Sequence, residues 1–179
     1  ATANATVIGD NSKAEANATV LIQDEADGDA TADANAVICG DDNGANAEAN
    51  AQVTDEAYGD ATADANVLVK GKDNEGEAKA EATVDGEDTS GDATANSNTL
   101  VAGFDSEAKT NAKAEVTDEA SGDATANNSA VVLGESSKAG VKANAKVDDA
   151  DGDAEANANG IVIGYDSEAK ANAKANVSD

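Results

Sequence analysis

The chain has 179 residues and a formal net charge of -26, and it lacks Pro, His, Met and Trp. Its only aromatic residues are Tyr58, Phe104 and Tyr165, so large side chains cannot build the core. Without histidine, Ser-His-Asp and Cys-His catalysis are excluded, and so heavy an acidic excess excludes nucleic acid, whose phosphates require Lys and Arg.

Acidic, aromatic-poor chains are commonly disordered. This one instead holds an apolar period of two, which is the period of a β-strand. The chain opens inside that pattern, at ATANATVIG, and so reads as a mature, processed product. Glycines then recur at Gly9, Gly40, Gly71, Gly103, Gly134 and Gly164. A Gly-Asp pair recurs at Asp29, Asp60, Asp92, Asp123 and Asp153, and a valine at Val20, Val53, Val84, Val116, Val147 and Val177. These marks divide the chain into six units, approximately 1–29, 30–60, 61–92, 93–123, 124–153 and 154–179. Repeats of this length indicate a solenoid.

Each unit reads strand, turn, strand, turn. In the second, GDATADANAVICG places Ala32, Ala34, Ala36 and Ile38 on one face, opposite Thr31, Asp33, Asn35, Val37 and Cys39. Its partner strand places Ala47, Ala49, Ala51 and Val53 opposite Asn46, Glu48, Asn50 and Gln52. Turn-forming runs such as GDDNG (Gly40–Gly44) and DEAYGD (Asp55–Asp60) separate the strands. Alanine is a poor strand former with little to bury, so its recurrence needs a reason. A β-arch that brings two sheets very close provides one, with a thin dry layer of methyl groups between them. The expected fold is all-β: stacked β-arches forming a β-solenoid of six units of about 31 residues, two strands per unit, around a thin Ala-rich core. The two halves of a unit differ consistently, so like strands should stack on like, rather than every half-unit forming its own turn.

In-register stacking makes columns. Asn4, Asn35, Asn66, Asn98 and Asn159 form one, interrupted by Ser129; Thr31, Thr62, Thr94 and Thr125 form another. An asparagine column can bond amide to amide. Asp29, Asp60, Asp92, Asp123 and Asp153 form an acidic column, a candidate Ca²⁺ line or simply solvated turns. Its spacing matches neither an EF-hand nor a Gly-rich calcium roll, and no cofactor is required. Asn4, Asn17, Asn127 and Asn176 stand in glycosylation sequons. Cys39 is the single cysteine, and an odd cysteine outside the cell either bridges molecules or remains a free thiol. Val37, Leu68, Leu100, Val131 and Ile161 make an outward apolar stripe that could bind a lateral neighbour.

Two non-enzymatic alternatives follow from the columns. A flat Thr-bearing solenoid suggests ice binding, though charged and Asn residues interrupt the Thr rows. The acidic column suggests a Ca²⁺-dependent matrix or adhesin module. The whole chain, through ATADANAVICG and its repeats, resembles the amyloid-like cell-sheath proteins of methanogenic archaea. The resemblance implies subunits joined edge to edge into hoops and sideways into an extracellular protective tube. It also implies that the chain partners itself, and that Cys39 forms an intermolecular disulfide. No apolar run approaches the roughly 20 residues of a membrane-spanning helix, so insertion into a membrane is not expected.

Overall fold

A computed structural model describes residues 1–24 and 26–178; Asp179, which closes the last unit, lies outside them. Twelve strands follow in order: β1 (Thr2–Ile8), β2 (Lys13–Ile22), β3 (Ala30–Cys39), β4 (Gly44–Thr54), β5 (Ala61–Lys72), β6 (Glu75–Asp85), β7 (Ala93–Phe104), β8 (Glu107–Thr117), β9 (Ala124–Leu133), β10 (Lys138–Asp148), β11 (Ala154–Ile163) and β12 (Glu168–Ser178). No helix occurs among the described residues. The odd strands form one six-stranded parallel sheet and the even strands another. The result is a β-solenoid of six rungs in which like stacks on like.

Alternation decides what lies between the sheets. Ala32, Ala34, Ile38, Ala47, Ala49 and Val53 are all fully buried, and so are their equivalents through the central rungs. The register confirms most of the columns and corrects one. Val53, Val84, Val116, Val147 and Val177 stack, but Ile22 heads that column, and Val20 lies opposite Ala51.

The core is narrow enough that volumes compensate across it. Where the odd sheet widens from alanine to Val67 and Thr99, the even sheet shrinks to Gly76. A Cβ there would lie 3.0 Å from both Val67 Cγ1 and Val69 Cγ2. The reverse occurs at Gly160, where a Cβ would meet Ala169 Cβ at 3.3 Å and Val141 Cγ2 at 3.6 Å. Buried polar groups reach directly across: Ser97 Oγ donates to the Ala78 carbonyl at 2.7 Å and Asn128 Nδ2 to the Lys142 carbonyl at 2.6 Å.

The turns explain part of the acidity. Asp42, Asp55, Asp73, Asp88, Asp105 and Asp118 all have φ between 52° and 58°. Short Asp and Asn side chains tolerate this left-handed region better than other non-glycine residues. Aspartate therefore serves backbone geometry here before any question of ligands arises.

Candidate functional site

The features that can contact another molecule are the two sheet exteriors, the corners and the two open ends. The exterior of the odd sheet carries few charges, Asp33, Asp64, Lys70, Lys72 and Glu155, and holds two amide ladders. In the expected one, Asn35, Asn66 and Asn98 each donate through Nδ2 to Oδ1 of the preceding rung, Asn4, Asn35 and Asn66, at 3.1 Å. Asn98 then lies opposite Ser129, and Ser129 opposite Asn159. A second ladder joins Asn96 to Asp64 at 2.7 Å, Asn127 to Asn96 at 3.1 Å and Asn157 to Asn127 at 3.1 Å. Thr31, Thr62, Thr94 and Thr125 stand in register beside it. Next comes the apolar stripe of Val37, Leu68, Leu100, Val131 and Ile161, also in register. Cys39 closes its strand on the same outward parity, half-buried between Ile8 and Lys70.

The corner aspartates form a line. Asp29, Asp60, Asp92 and Asp123 each accept, through Oδ1, the backbone N–H of the aspartate one rung on, the last being Asp153, at 2.9–3.2 Å. A carboxylate that accepts an N–H is partly compensated for its neighbours' charge. Among the described residues no group of three or more acidic or cysteine side chains converges as a metal cage.

A third ladder runs through the opposite turn. There the backbone N–H groups of Ser12, Asn43, Asn74, Ser106 and Ser137 donate to Asn43 Oδ1, Asn74 Oδ1, Ser106 Oγ, Ser137 Oγ and Ser167 Oγ, at 2.7–3.3 Å. Sequence reasoning missed it, although a small polar residue stands three positions after every glycine of the Gly9 column.

The even sheet carries nine of the eleven lysines. Two directly opposed Lys–Glu pairs bond between rungs, Lys79 to Glu48 at 2.8 Å and Lys113 to Glu81 at 3.0 Å, whereas Lys109 opposite Glu77 and Lys146 opposite Glu115 turn to other carboxylates. The hydrogen bond that Lys79 donates to the Glu48 carboxylate raises the lysine's pKa. Burial pulls Lys113 downward, but Glu115 and Glu81 outweigh it and the net shift is upward. Asp118 is raised by the Asp85 carboxylate. This crowding of like charge is destabilising while Asp118 is ionised and is relieved as pH falls through its pKa.

The ends are not equivalent. Inside the array every even strand faces two odd strands, as β10 faces β9 and β11, whereas among the described residues β12 faces β11 alone. Its core-facing residues Ala169, Ala171, Ala173, Ala175 and Val177 are therefore left exposed. Val177 is 54% exposed where its column neighbour Val147 is 0%. At the other end, β1 has its outer backbone edge unpaired, and its own core-facing Ala3, Ala5 and Val7 are only half-buried. Compared with protein families, curated proteins and solved structures, the chain matches none.

Proposed function

We propose that this chain is a structural protein that assembles with itself, head to tail, into an extracellular amyloid-like polymer such as a sheath, hoop or filament around the cell. The observation that carries this reading is the uncovered core face of β12. A first strand from a second copy, placed on β11, would cover the residues from Ala169 to Val177 with Ala3, Ala5 and Val7. The unpaired β edge would at the same time gain its missing hydrogen bonds. The rung-to-rung register, carried one step further, sets Asn159 against Asn4 and Val177 against Ile22. Ser12 Oγ already donates to the Asp10 carbonyl, as Ser137 Oγ does to that of Glu135. It is thus oriented to accept the Ser167 N–H of the preceding copy, as Ser137 accepts that of Ser106.

Gly9 tests the joint. In the isolated chain a Cβ at Gly9 meets nothing within 4 Å, but one at Gly40 lies 2.1 Å from the Gly9 oxygen and one at Gly134 lies 1.5 Å from the Gly103 oxygen. In a head-to-tail joint Gly9 sits over Gly164, so Gly9→Ala clashes only there. Its cost to the subunit is local backbone strain of about 1–3 kcal/mol at φ 146°. The expected result is a soluble subunit with an unchanged β circular dichroism spectrum and, by negative-stain electron microscopy, no long polymers. Normal polymers from Gly9→Ala, or none from the unmodified chain, would overturn the reading. Ice shaping by a soluble monomer, or loss of β signal in chelator, would instead favour the ice-binding or Ca²⁺-dependent alternatives.

In the polymer, Cys39 bridges to a cysteine of a neighbouring molecule. Its half-buried, outward-facing position on the odd sheet suits a lateral contact near the stripe of Leu68 and Leu100. The polymer, denatured without reductant, is expected to run as a covalent dimer on a gel, and reductant or Cys39→Ser should abolish that band. A monomer in the absence of reductant would refute the bridge.

A further inference from the structure

We propose that the head-to-tail joint is addressed by charge: Lys13 and Glu15 on the first rung recognise Glu168 and Lys170 on the last rung of another copy. This rests on the head-to-tail reading above and adds the determinants of its direction and register. Within the chain neither pair is ion-paired toward the interior: Glu168 lies opposite Lys138 but closes on Lys170 instead. Lys13 lies opposite Gly44 and Glu15 opposite Asn46. Lys170 lies opposite Gly140. Each pair closes on itself along its own strand, Lys13 to Glu15 at 3.2 Å and Lys170 to Glu168 at 2.9 Å. The order of charge is opposite at the two ends, Lys-x-Glu at the head and Glu-x-Lys at the tail.

Continuing the register that sets Asn159 on Asn4 brings Glu168 opposite Lys13 and Lys170 opposite Glu15. Two directly opposed Lys–Glu pairs of this sheet, Lys79–Glu48 and Lys113–Glu81, already bond between rungs in this way. Two strand-wise ion pairs thus become a square of alternating charge. Misalignment is penalised from both sides. A slip of one residue turns the alanine faces outward. A slip of two preserves the faces but sets Glu168 on Glu15 in one direction, or Lys170 on Lys13 in the other, and directly opposed like charges destabilise a sheet. The net charge of -26 repels copies at every approach. The local complement of sign is then what selects one orientation, which is the usual role of charge at an interface.

The test exchanges charges without altering composition or net charge. A head swap (Lys13→Glu with Glu15→Lys) and a tail swap (Glu168→Lys with Lys170→Glu) are made in the full chain. Assembly is followed by light scattering and electron microscopy. Each swap alone sets like charges together at every joint; the tail swap also sets a lysine opposite Lys138 within the chain, so urea unfolding of each unassembled subunit is measured beside assembly and assembly is compared between subunits of equal stability. Each single swap is expected to raise the concentration needed for assembly by about tenfold, the scale for turning two exposed attractive pairs into repulsive ones. Both swaps in one chain should restore assembly to near its original level. An equimolar mixture of the two single-swap chains should also assemble, in strict alternation, because each swapped end then meets its complement. Single swaps that assemble like the unmodified chain, or a double swap and mixture that fail to recover, would overturn the charge address while leaving the joint itself standing. Failure of the unmodified chain to assemble would remove the joint on which it rests.

Discussion

Gly91→Ala is expected to break the array in the middle. Gly91 turns the corner before β7 with φ 151°, and a Cβ built there would lie 2.0 Å from the Gly59 carbonyl oxygen and 3.2 Å from the Asp60 nitrogen. Both are backbone atoms, so no rotamer change can relieve the overlap. The rungs would have to part at this corner. Parting them stretches the bond from the Gly59 N–H to the Ser90 carbonyl, 3.0 Å, and that from the Asp92 N–H to Asp60 Oδ1, also 3.0 Å. Backbone strain of about 1–3 kcal/mol, together with about 0.5–1.5 kcal/mol for each lost hydrogen bond, makes a total near 4 kcal/mol the expected loss. That is exceptional for a single methyl group. Gly28 is the matched control. It has a similar φ of 154°, but among the described residues its added Cβ would meet only Ile22 Cδ1, at 3.8 Å. Gly28→Ala should therefore show the strain without the clash. Urea unfolding followed by circular dichroism measures both. Equal destabilisation of the two variants would mean that rung-to-rung contact at the corner does not govern stability.

These corners were half legible in the sequence. The spacing of glycine and Gly-Asp gave the period, and the period gave the columns, because a parallel in-register stack repeats whatever the sequence repeats. Parity then sorted inside from outside at Ala32, Thr31 and Cys39 without further information. Parity could not choose between Val20 and Ile22, which are two residues apart and so share a face; the repeated identity of valine pointed to the wrong one. Register settles it, since Lys13 pairs with Gly44 and the strand runs on without a bulge to set Ile22 on Val53. The corner aspartates were legible as a column of like charge, but not as a chain of acceptors. That role depends on the backbone N–H of the next rung lying within reach of Oδ1, and composition says nothing of it. The ladder through Asn43, Asn74, Ser106 and Ser137 went unread for a different reason: its members are of two residue types that share an acceptor oxygen rather than a name.

The head and tail pairs show the same limit. Lys13, Glu15, Glu168 and Lys170 are ordinary solvated residues until the register sets one pair against the other. Glu168 is held below its usual carboxylate range by the hydrogen bond from Lys170, and Glu15 by those from Asn17 and then Lys13. Both therefore remain charged at neutral pH, the form in which the joint would use them.

Ala63→Leu is expected to destabilise the subunit by about 1–3 kcal/mol, the usual range for overpacking an interior, whereas Thr62→Leu, one residue away, should change it by no more than about 0.5 kcal/mol, as surface changes do. Ala63 is fully buried in a column in which Ala32, Ala95 and Ala126 are also fully buried alanines. A leucine there adds three heavy atoms to a layer already so thin that Ser97 Oγ bonds the facing carbonyl at 2.7 Å. Elsewhere, extra volume on one sheet is matched by a glycine near it on the other, as at Val67 with Gly76 and at Gly160 with Val141. Every residue opposite the Ala63 column would have to recede, and close-packed interiors resist such displacement. Sideways escape is blocked as well, because Ala32 and Ala95 lie one strand away, about 4.8 Å, on either side. The outward Thr62 has no facing sheet, and its larger replacement would project into solvent. Thermal and urea unfolding of the two variants give the comparison directly. A double variant pairing Ala63→Leu with an alanine-to-glycine change on the facing strand should recover part of the loss, as the natural Val67–Gly76 pairing does. Equal stability of Ala63→Leu and Thr62→Leu would show that the sheets are not held at alanine spacing, and the explanation of the alanine repeat would fall with that result.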